Sequence, residues 1–332
     1  MKRRHIVDMQ AAWLEHGCAS VLAKPIPAPA EGEALIKTLM AGICATDLEL
    51  ARGYAQFSGI PGHEFVGEVV QAEAAPDLIG RRVVADINCG CRACAWCLAN
   101  DPRHCPDREV IGIRKRDGAF AEFLTLPVSN LHPVPERVDT LEAVFAEPLA
   151  AALEITQQLH IKHSTRVGVL GGGKLGILIA LSLNHVSSAV TLIGRRSALL
   201  DLAARKGVHT VLSGSKLPEM TDFDLVVEAT GSPRGLRGAL ELVRPEGTVV
   251  LKTTTQSTAD VDLTPIAVKE ITVIGSRCGD LSLALKFLEQ GWITVDDLVE
   301  AVYPLQDFPK ALEHASRPGT LKVLVAFDRE VA

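Results

Sequence analysis

The chain contains no run of 18 or more apolar residues, so nothing in it reads as a membrane-spanning helix. A secretory signal is missing too. Met1-Lys2-Arg3-Arg4-His5 is basic, but no apolar stretch follows it, and secretion is not expected. Met9-Gln10-Ala11-Ala12-Trp13 reads like a natural start, which makes residues 1–8 an expected extension or expression remnant. Positive charge is scarce as well: 34 Lys and Arg against 40 Asp and Glu leave a formal net charge of −6. A nucleic-acid binder needs a basic face for phosphates, so that class is excluded, zinc ribbons included. Aromatic residues are only 4%, beside 47% hydrophobic and 22% charged. That balance fits neither a disordered chain nor a coiled coil, and no internal repeat or low-complexity tract appears.

What is present points first to two domains, because 332 residues exceed the size at which one core usually stops growing. The first 150 residues carry short apolar runs at 34–39, 65–70, 83–86 and 120–126 between Gly- and Pro-rich turns. They predict a mainly β, partly open barrel. A helical pattern starts near Thr140 and runs through Leu149 and Leu153. From Arg166 the character changes. Apolar runs at 167–170, 189–193, 225–227, 248–251 and 271–274 alternate with helical stretches near 174–186, 198–206, 234–243 and 282–289. Gly207 is placed to stop the second of these helices. Alternating buried strands and helices predict an α/β unit with a doubly wound parallel sheet. The expected division is 1–152, 153–278 and 279–332, the last segment returning to the first domain.

Five of the eight cysteines (18, 44, 89, 91, 94, 97, 105, 278) fall within seventeen residues, in a lobe at 89–106. Without a secretory signal, such a cluster suggests a metal in a reducing cytoplasm rather than disulfides. Cys91-x2-Cys94-x2-Cys97-x7-Cys105 is the strongest signal in the chain. Four thiolates at these spacings can surround one tetrahedral Zn²⁺, and four protein ligands leave no place for substrate, so the site is structural. Cys89 is out of phase and is expected to be a spectator.

A second group lies upstream: Gly42-Ile43-Cys44-Ala45-Thr46-Asp47 and Gly62-His63-Glu64. Alone, each reads as a small buried hydrophobe or a satisfied core histidine. Together they supply two ligands of the three that a catalytic zinc needs beside one open position. The third is either Glu147, in Ala146-Glu147-Pro148-Leu149-Ala150, or the adjacent Glu64.

A third motif, Gly171-x-Gly173-x-x-Gly176, follows an apolar strand and opens a helix through Lys174 and Leu175. In a dinucleotide site the first glycine allows the turn, the second admits the pyrophosphate, and the third lets helix and strand pack closely. The phosphates then sit at a helix N-terminus, where free N–H groups and the dipole favour them.

These motifs occur in the order Gly-Ile-Cys-x-Thr-Asp, Gly-His-Glu, four-cysteine lobe, Glu-Pro-Leu-Ala and glycine loop. In that order the chain resembles the zinc-containing medium-chain alcohol dehydrogenases, from about Met9 onward. It is most similar to their polyol, threonine and glucose dehydrogenase branch, which has glutamate at the position of Glu147. The resemblance implies a GroES-like catalytic domain, a Rossmann NAD(P)-binding domain, two zinc ions per chain and a homodimer or homotetramer. It also implies hydride transfer between a nicotinamide cofactor and a small alcohol or carbonyl whose oxygen the zinc polarises. Cys44, His63 and Glu147 would then be ligands, and Glu64 would exchange with water or sit just outside. Thr46 would start a proton relay and Asp47 would orient His63. Many relatives carry a histidine five positions after the zinc cysteine; Glu49 stands there in this chain and either takes over the relay or is a solvated surface residue.

The end of the second strand of the nucleotide unit bears on the cofactor. NAD sites usually place an acid there to accept the ribose hydroxyls. Here Ile193-Gly194-Arg195-Arg196 offers none, and two arginines can clamp a 2′-phosphate, so NADP(H) is preferred with NAD(H) as the alternative. Thr230, in Glu228-Ala229-Thr230-Gly231, falls at the carboxyl edge where cofactors bind, and Arg277 is a weaker candidate for their phosphates. The expected activity is therefore oxidation of a secondary alcohol or polyol, or the reverse. An NAD-dependent threonine- or sorbitol-type dehydrogenase is the nearest alternative. A non-enzymatic cofactor-binding protein on the same fold would be expected to have lost Cys44, His63 or Thr46, and all three are kept.

Overall fold

A computed structural model describes residues 8–214, 217, 222–254 and 260–327. Residues 1–7 of the expected extension lie outside the described residues. The chain forms two compact units: Met1–Glu147 with Leu285–Ala332, and Pro148–Ala284.

The first unit opens with a hairpin of β1 (Asp8–Glu15) and β2 (Cys18–Pro25), which the sequence reading did not anticipate. Its two turn residues, His16 and Gly17, both have positive φ, at 48° and 78°. Two-residue turns between right-twisted strands require that geometry. The chain continues through β3 (Glu33–Gly42), α1 (Ala45–Ala51), β4 (Glu64–Gln71), β5 (Arg82–Ala85), β6 (Asn88–Cys89) and α2 (Ala95–Leu98). Next come β7 (Glu109–Ile111), β8 (Lys115–Arg116), β9 (Phe123–Pro127), β10 (Leu131–Pro133), α3 (Thr140–Ala143) and α4 (Ala146–Gln158). Pro148 is tolerated in α4 because it lies in the first turn, where the N–H has no partner within the helix.

The second unit holds β11 (Arg166–Leu170), α5 (Lys174–Asn184), β12 (Ala189–Gly194), α6 (Ser197–Arg205), β13 (His209–Leu212), β14 (Phe223–Glu228) and α7 (Gly235–Leu242). It continues with β15 (Val243–Leu251), α8 (Thr264–Val268) and β16 (Thr272–Gly275), and α9 (Leu281–Glu289) follows. β17 (Val299–Pro304), α10 (Phe308–Ser316) and β18 (Lys322–Ala326) belong to the first unit.

In the first unit seven strands run β10-β5-β4-β3-β18-β17, with β9 also on β3. Two registers matter for the site. Gly42 of β3 sits opposite Glu64 of β4 on one side and Leu324 of β18 on the other. The start of β18 is thereby brought beside the start of β4. Under this sheet lies a core that includes Ile36, Ile43, Leu50, Phe120, Phe308 and Val323. Phe120 and Phe308 meet with ring centroids 4.9 Å apart. Burying one such side chain fully contributes roughly 1.5–3 kcal/mol. The apolar run at 120–126 becomes strand only from Phe123, because the backbone of Gly118, Ala119 and Phe120 bonds to residues 60–62 instead.

In the second unit six parallel strands run β13-β12-β11-β14-β15-β16, and the sequence-expected doubly wound sheet is observed. Val167, Val169, Leu192, Ile193, Val226, Val227, Val249 and Val250 are almost fully buried, as strands covered on both faces must be. The order reverses at β11, the first strand, and in doubly wound sheets the carboxyl edge at such a switch point is where ligands bind.

Candidate functional site

The four-cysteine lobe is built almost entirely by local chain. Cys91, Cys94, Cys97 and Cys105 bring their sulfurs within 4.8 Å of one another, and all eight cysteines are free of disulfides. Arg92 and Asn100 adopt left-handed φ of 61° and 59°, which curls the chain around the cluster. Backbone N–H groups point at sulfur: Cys94 N donates to Cys91 Sγ and Cys91 N to Cys105 Sγ, each at 3.4 Å. The amides of Ala93 and Cys94 hold the Cys91 thiol down to about 7. Desolvation and the neighbouring thiols push Cys97 up to about 12. Four thiolates cannot ionise side by side unaided. A divalent cation at their centre removes that conflict, so the donor set fits zinc. Cys89 stands outside the four, buried beside Asn130 Nδ2 at 3.6 Å and pushed up to about 11 by burial.

The second cluster is assembled from distant segments. Cys44 is the N-cap of α1, and His63 and Glu64 lead into β4. Ligand atoms of Cys44, His63 and Glu64 lie within 4.8 Å of one another. Asp47, fully buried, ties the two segments: Oδ2 accepts from Cys44 N at 2.8 Å and Oδ1 from Gly62 N at 3.2 Å. Oδ1 also lies 3.7 Å from His63 Nδ1, which is ion-pair range but longer than a hydrogen bond. That ring nitrogen is buried without a hydrogen-bond partner. Burial alone would lower the His63 pKa, but the charges of Asp47 and Cys44 outweigh it and raise it well above the usual value. Burial raises Asp47 in turn, with His63 opposing. One thiol, one imidazole with unmet bonding capacity and one carboxylate form a donor set that fits zinc with a position to spare.

Sequence reasoning missed a residue here. Lys322, at the start of β18, is 3% exposed and donates to Glu64 Oε2 across a separation of 258 residues. A Cβ on Gly42 would lie 2.9 Å from Glu64 Oε2 and 3.2 Å from Lys322 Cδ, so the pair occupies the space that glycine leaves. Burial would lower the lysine's pKa; Glu64 and Cys44 together raise it. The one available signal was a charged residue heading the otherwise apolar run Val323-Leu324-Val325-Ala326.

Glu147, in the first turn of α4, is not among the three converging ligands, although its charge acts on both His63 and Lys322. The Thr46 hydroxyl lies 3.8 Å from Cys44 Sγ. Glu49 binds Arg52 at 2.7 Å on the surface of α1.

In the second unit Gly171 has φ of 123°, and a Cβ there would meet Ala229 O at 2.4 Å. A Cβ on Gly176 would stand 1.7 Å from Gly171 O, so only glycine lets α5 start this close to the turn. Gly173 is the N-cap of α5, facing open space, and Lys174 and Leu175 are the helix's first residues. Arg195 and Arg196 are both exposed at the carboxyl end of β12, Arg196 as N-cap of α6. Thr230 is exposed, and its N and Oγ1 both donate to Glu228 Oε1, at 2.8 and 2.6 Å.

The comparisons with known proteins agree with this geometry. Residues 30–136 match the family described as alcohol dehydrogenase GroES-like domain, and residues 173–290 match zinc-binding dehydrogenase. D-altritol 5-dehydrogenase of Agrobacterium fabrum is 30% identical over 334 residues, covering 95% of this chain and 98% of its own. Among solved structures, a zinc-binding dehydrogenase from Sinorhizobium meliloti 1021 bound to NADP is 29% identical with a TM-score of 0.86, over 97% of this chain and 100% of that one. A short chain alcohol dehydrogenase from E. coli CFT073 complexed with NADH is 26% identical with a TM-score of 0.88, over 96% and 99%. The chain belongs to the zinc-type medium-chain alcohol dehydrogenases, on their polyol branch. It is an NAD(P)-dependent enzyme acting on a small-molecule alcohol. Among the described residues no helix is long and apolar enough to cross a membrane.

Proposed function

We propose that the enzyme interconverts a secondary alcohol or polyol with its carbonyl, using NADP(H) and two zinc ions per chain. The observation that carries this reading is the convergence of Cys44, His63 and Glu64 within 4.8 Å, beside a separate closed lobe. Cys91, Cys94, Cys97 and Cys105 hold the structural ion. Cys44, His63 and a carboxylate hold the catalytic one, Glu64 first on distance and Glu147 as the second acid of the site. When bound, the ion would supply Lewis-acid polarisation of the substrate oxygen, and the dinucleotide would supply the hydride chemistry.

The chain's own residues do the rest. Asp47 fixes Cys44 and His63 by accepting from the backbone N–H of Cys44 and from that of Gly62, the residue before His63. Lys322 takes up one negative charge at Glu64, so the donor set offsets less of the ion's positive charge. Thr46 holds the proton exchanged with the substrate hydroxyl. Glu49 is engaged with Arg52, which favours release of that proton through water.

Unit Pro148–Ala284 binds the dinucleotide, with the pyrophosphate over Gly171, Gly173, Lys174, Leu175 and Gly176 at the start of α5 and Thr230 on the opposite lip. Structural relatives carry either cofactor, so the fold leaves the choice open; Arg195 and Arg196, with no acid at the end of β12, favour NADP(H). Eight free thiols suit the reducing cytoplasm. Assembly as a homodimer or homotetramer completes the reading, and light scattering measures it.

An alcohol and polyol panel read by cofactor absorbance, with NADP⁺ and NAD⁺ in parallel, tests the activity. Replacing Arg195 and Arg196 by Ala should weaken NADPH by about 10–100-fold, the worth of one or two charge-assisted bonds, and leave NADH unchanged. Unchanged NADPH affinity would overturn the arginine argument. Comparing Glu64→Gln with Glu147→Gln by metal affinity identifies the third ligand.

A further inference from the structure

Two charged side chains are buried at the carboxyl edge of the parallel sheet, and neither lies in the metal site. Glu228 ends β14 at 2% exposure, and Lys252 directly follows β15 at 9%. Glu228 Oε1 accepts from Thr230 N, Thr230 Oγ1 and, at 2.9 Å, Thr253 Oγ1. Lys252 Nζ donates to Ala151 O at 2.6 Å, Arg277 O at 3.0 Å and Ser276 Oγ at 3.1 Å. An ammonium has three donors, and all three are used.

An apolar residue would continue the run Val249-Val250-Leu251 at no desolvation cost. A buried ammonium is costly to desolvate unless its bonds offset it, so its value lies in what it ties together. It ties the end of β15 to the loop after β16 and to the backbone of α4, all within one compact unit. Glu228 does the same for the loop after β14, where Gly231 N also reaches Thr253 Oγ1 at 2.9 Å. The three loops following β14, β15 and β16 thus form one rim pinned by two buried charges.

A doubly wound sheet binds a dinucleotide across its switch point, one mononucleotide per half. Arg195 and Arg196 stand on the β12 side. The β14–β16 side is left for the nicotinamide half. We propose that Lys252 is a positioning residue that holds this rim in the shape that receives the nicotinamide ring, without itself touching the cofactor. The inference rests on the reading that the unit 148–284 carries the dinucleotide with its adenosine on the β12 side.

The test uses the full-length, zinc-loaded enzyme and its Lys252→Met and Lys252→Arg variants. Each is titrated with the tighter-bound of NADPH and NADH, and with the matching adenosine fragment, 2′,5′-ADP or 5′-AMP. Lys252→Met should weaken the whole cofactor about tenfold or more, change the emission of the bound dihydronicotinamide, and leave the fragment within twofold; Lys252→Arg should recover part of the loss. Equal weakening of cofactor and fragment would show that Lys252 only holds the unit together, and no weakening of either would show that the rim does not depend on it. Both outcomes overturn the proposal. Should Lys252→Met fail to fold, Ser276→Ala removes one of the three acceptors, and the same selective loss, smaller in size, is expected. Unchanged 2′,5′-ADP affinity on replacing Arg195 and Arg196 by Ala would instead overturn the underlying placement of adenosine on the β12 side, before any Lys252 variant is compared.

Discussion

The two clusters of metal-donor residues in this enzyme are made in opposite ways. The lobe gathers four like ligands from fifteen consecutive residues, with left-handed turns at Arg92 and Asn100 and backbone amides aimed at sulfur. The second cluster gathers three unlike ligands from α1 and β4, braced by Asp47 and by Lys322, 258 residues from the glutamate it binds. A local cluster of identical donors closes around its ion. A cluster drawn from several elements, with mixed donors and a charged brace, keeps a position open and lets its charge be tuned.

If the lobe is a self-contained structural knot, Cys97→Ser should lose its zinc and much of the chain's stability. Apparent binding energies of structural zinc reach ~10–16 kcal/mol in small peptides, so even partial loss is a large effect. Thermal unfolding with metal analysis measures it, and an unchanged Tm would break the comparison at its first term.

The brace of the open site comes next. In the metal-free enzyme Lys322→Met strands Glu64 as a buried uncompensated charge and should cost ~3–5 kcal/mol. Lys322→Met combined with Glu64→Gln should recover most of that, because neither charge then remains. A double variant as unstable as the single one would mean that Lys322 matters through packing alone. Asp47→Asn is smaller: about a 10–100-fold loss of metal affinity at the open site, with the lobe's ion retained through chelator challenge.

Acidity distinguishes the sites last. Asp47 and Cys44 raise the metal-free pKa of His63 despite burial, so its proton stabilises the apo fold fully below about 6.5 and that stability is lost as pH rises through the raised value. Zinc needs the neutral ring and must displace that proton. Affinity at the open site should therefore fall at least about tenfold per unit as pH drops below the raised value, measured by chelator competition near pH 6–7. A flat profile would contradict the coupling.

How much of this was legible in the sequence follows from the same contrast. The lobe, the glycine loop and the alternation of strand and helix depend on neighbours within about 20 residues, and spacing alone declared them. Cys44 and His63 were legible as candidates because their residue types are chemically unusual side by side. Lys322 was not, since a lone lysine before an apolar strand acquires meaning only when β18 pairs with β3. The rank of Glu64 over Glu147 by distance depends on where α4 begins, which no local pattern states. Lys252 and Glu228 were hidden for a similar reason: their partners lie in other loops of the sheet edge. The β1–β2 hairpin was missed although its His-Gly turn was present, because its burial follows no clean alternation in β2.

On the proposed reading, two zinc ions serve two different purposes. The most direct test is metal content and turnover of the wild-type enzyme beside Cys44→Ser combined with His63→Ala. Two zinc ions per active wild-type chain, and one zinc per folded variant with turnover reduced on the order of 10³-fold or more, is the expected result. A variant that keeps both ions, or keeps its activity with one, would contradict the account.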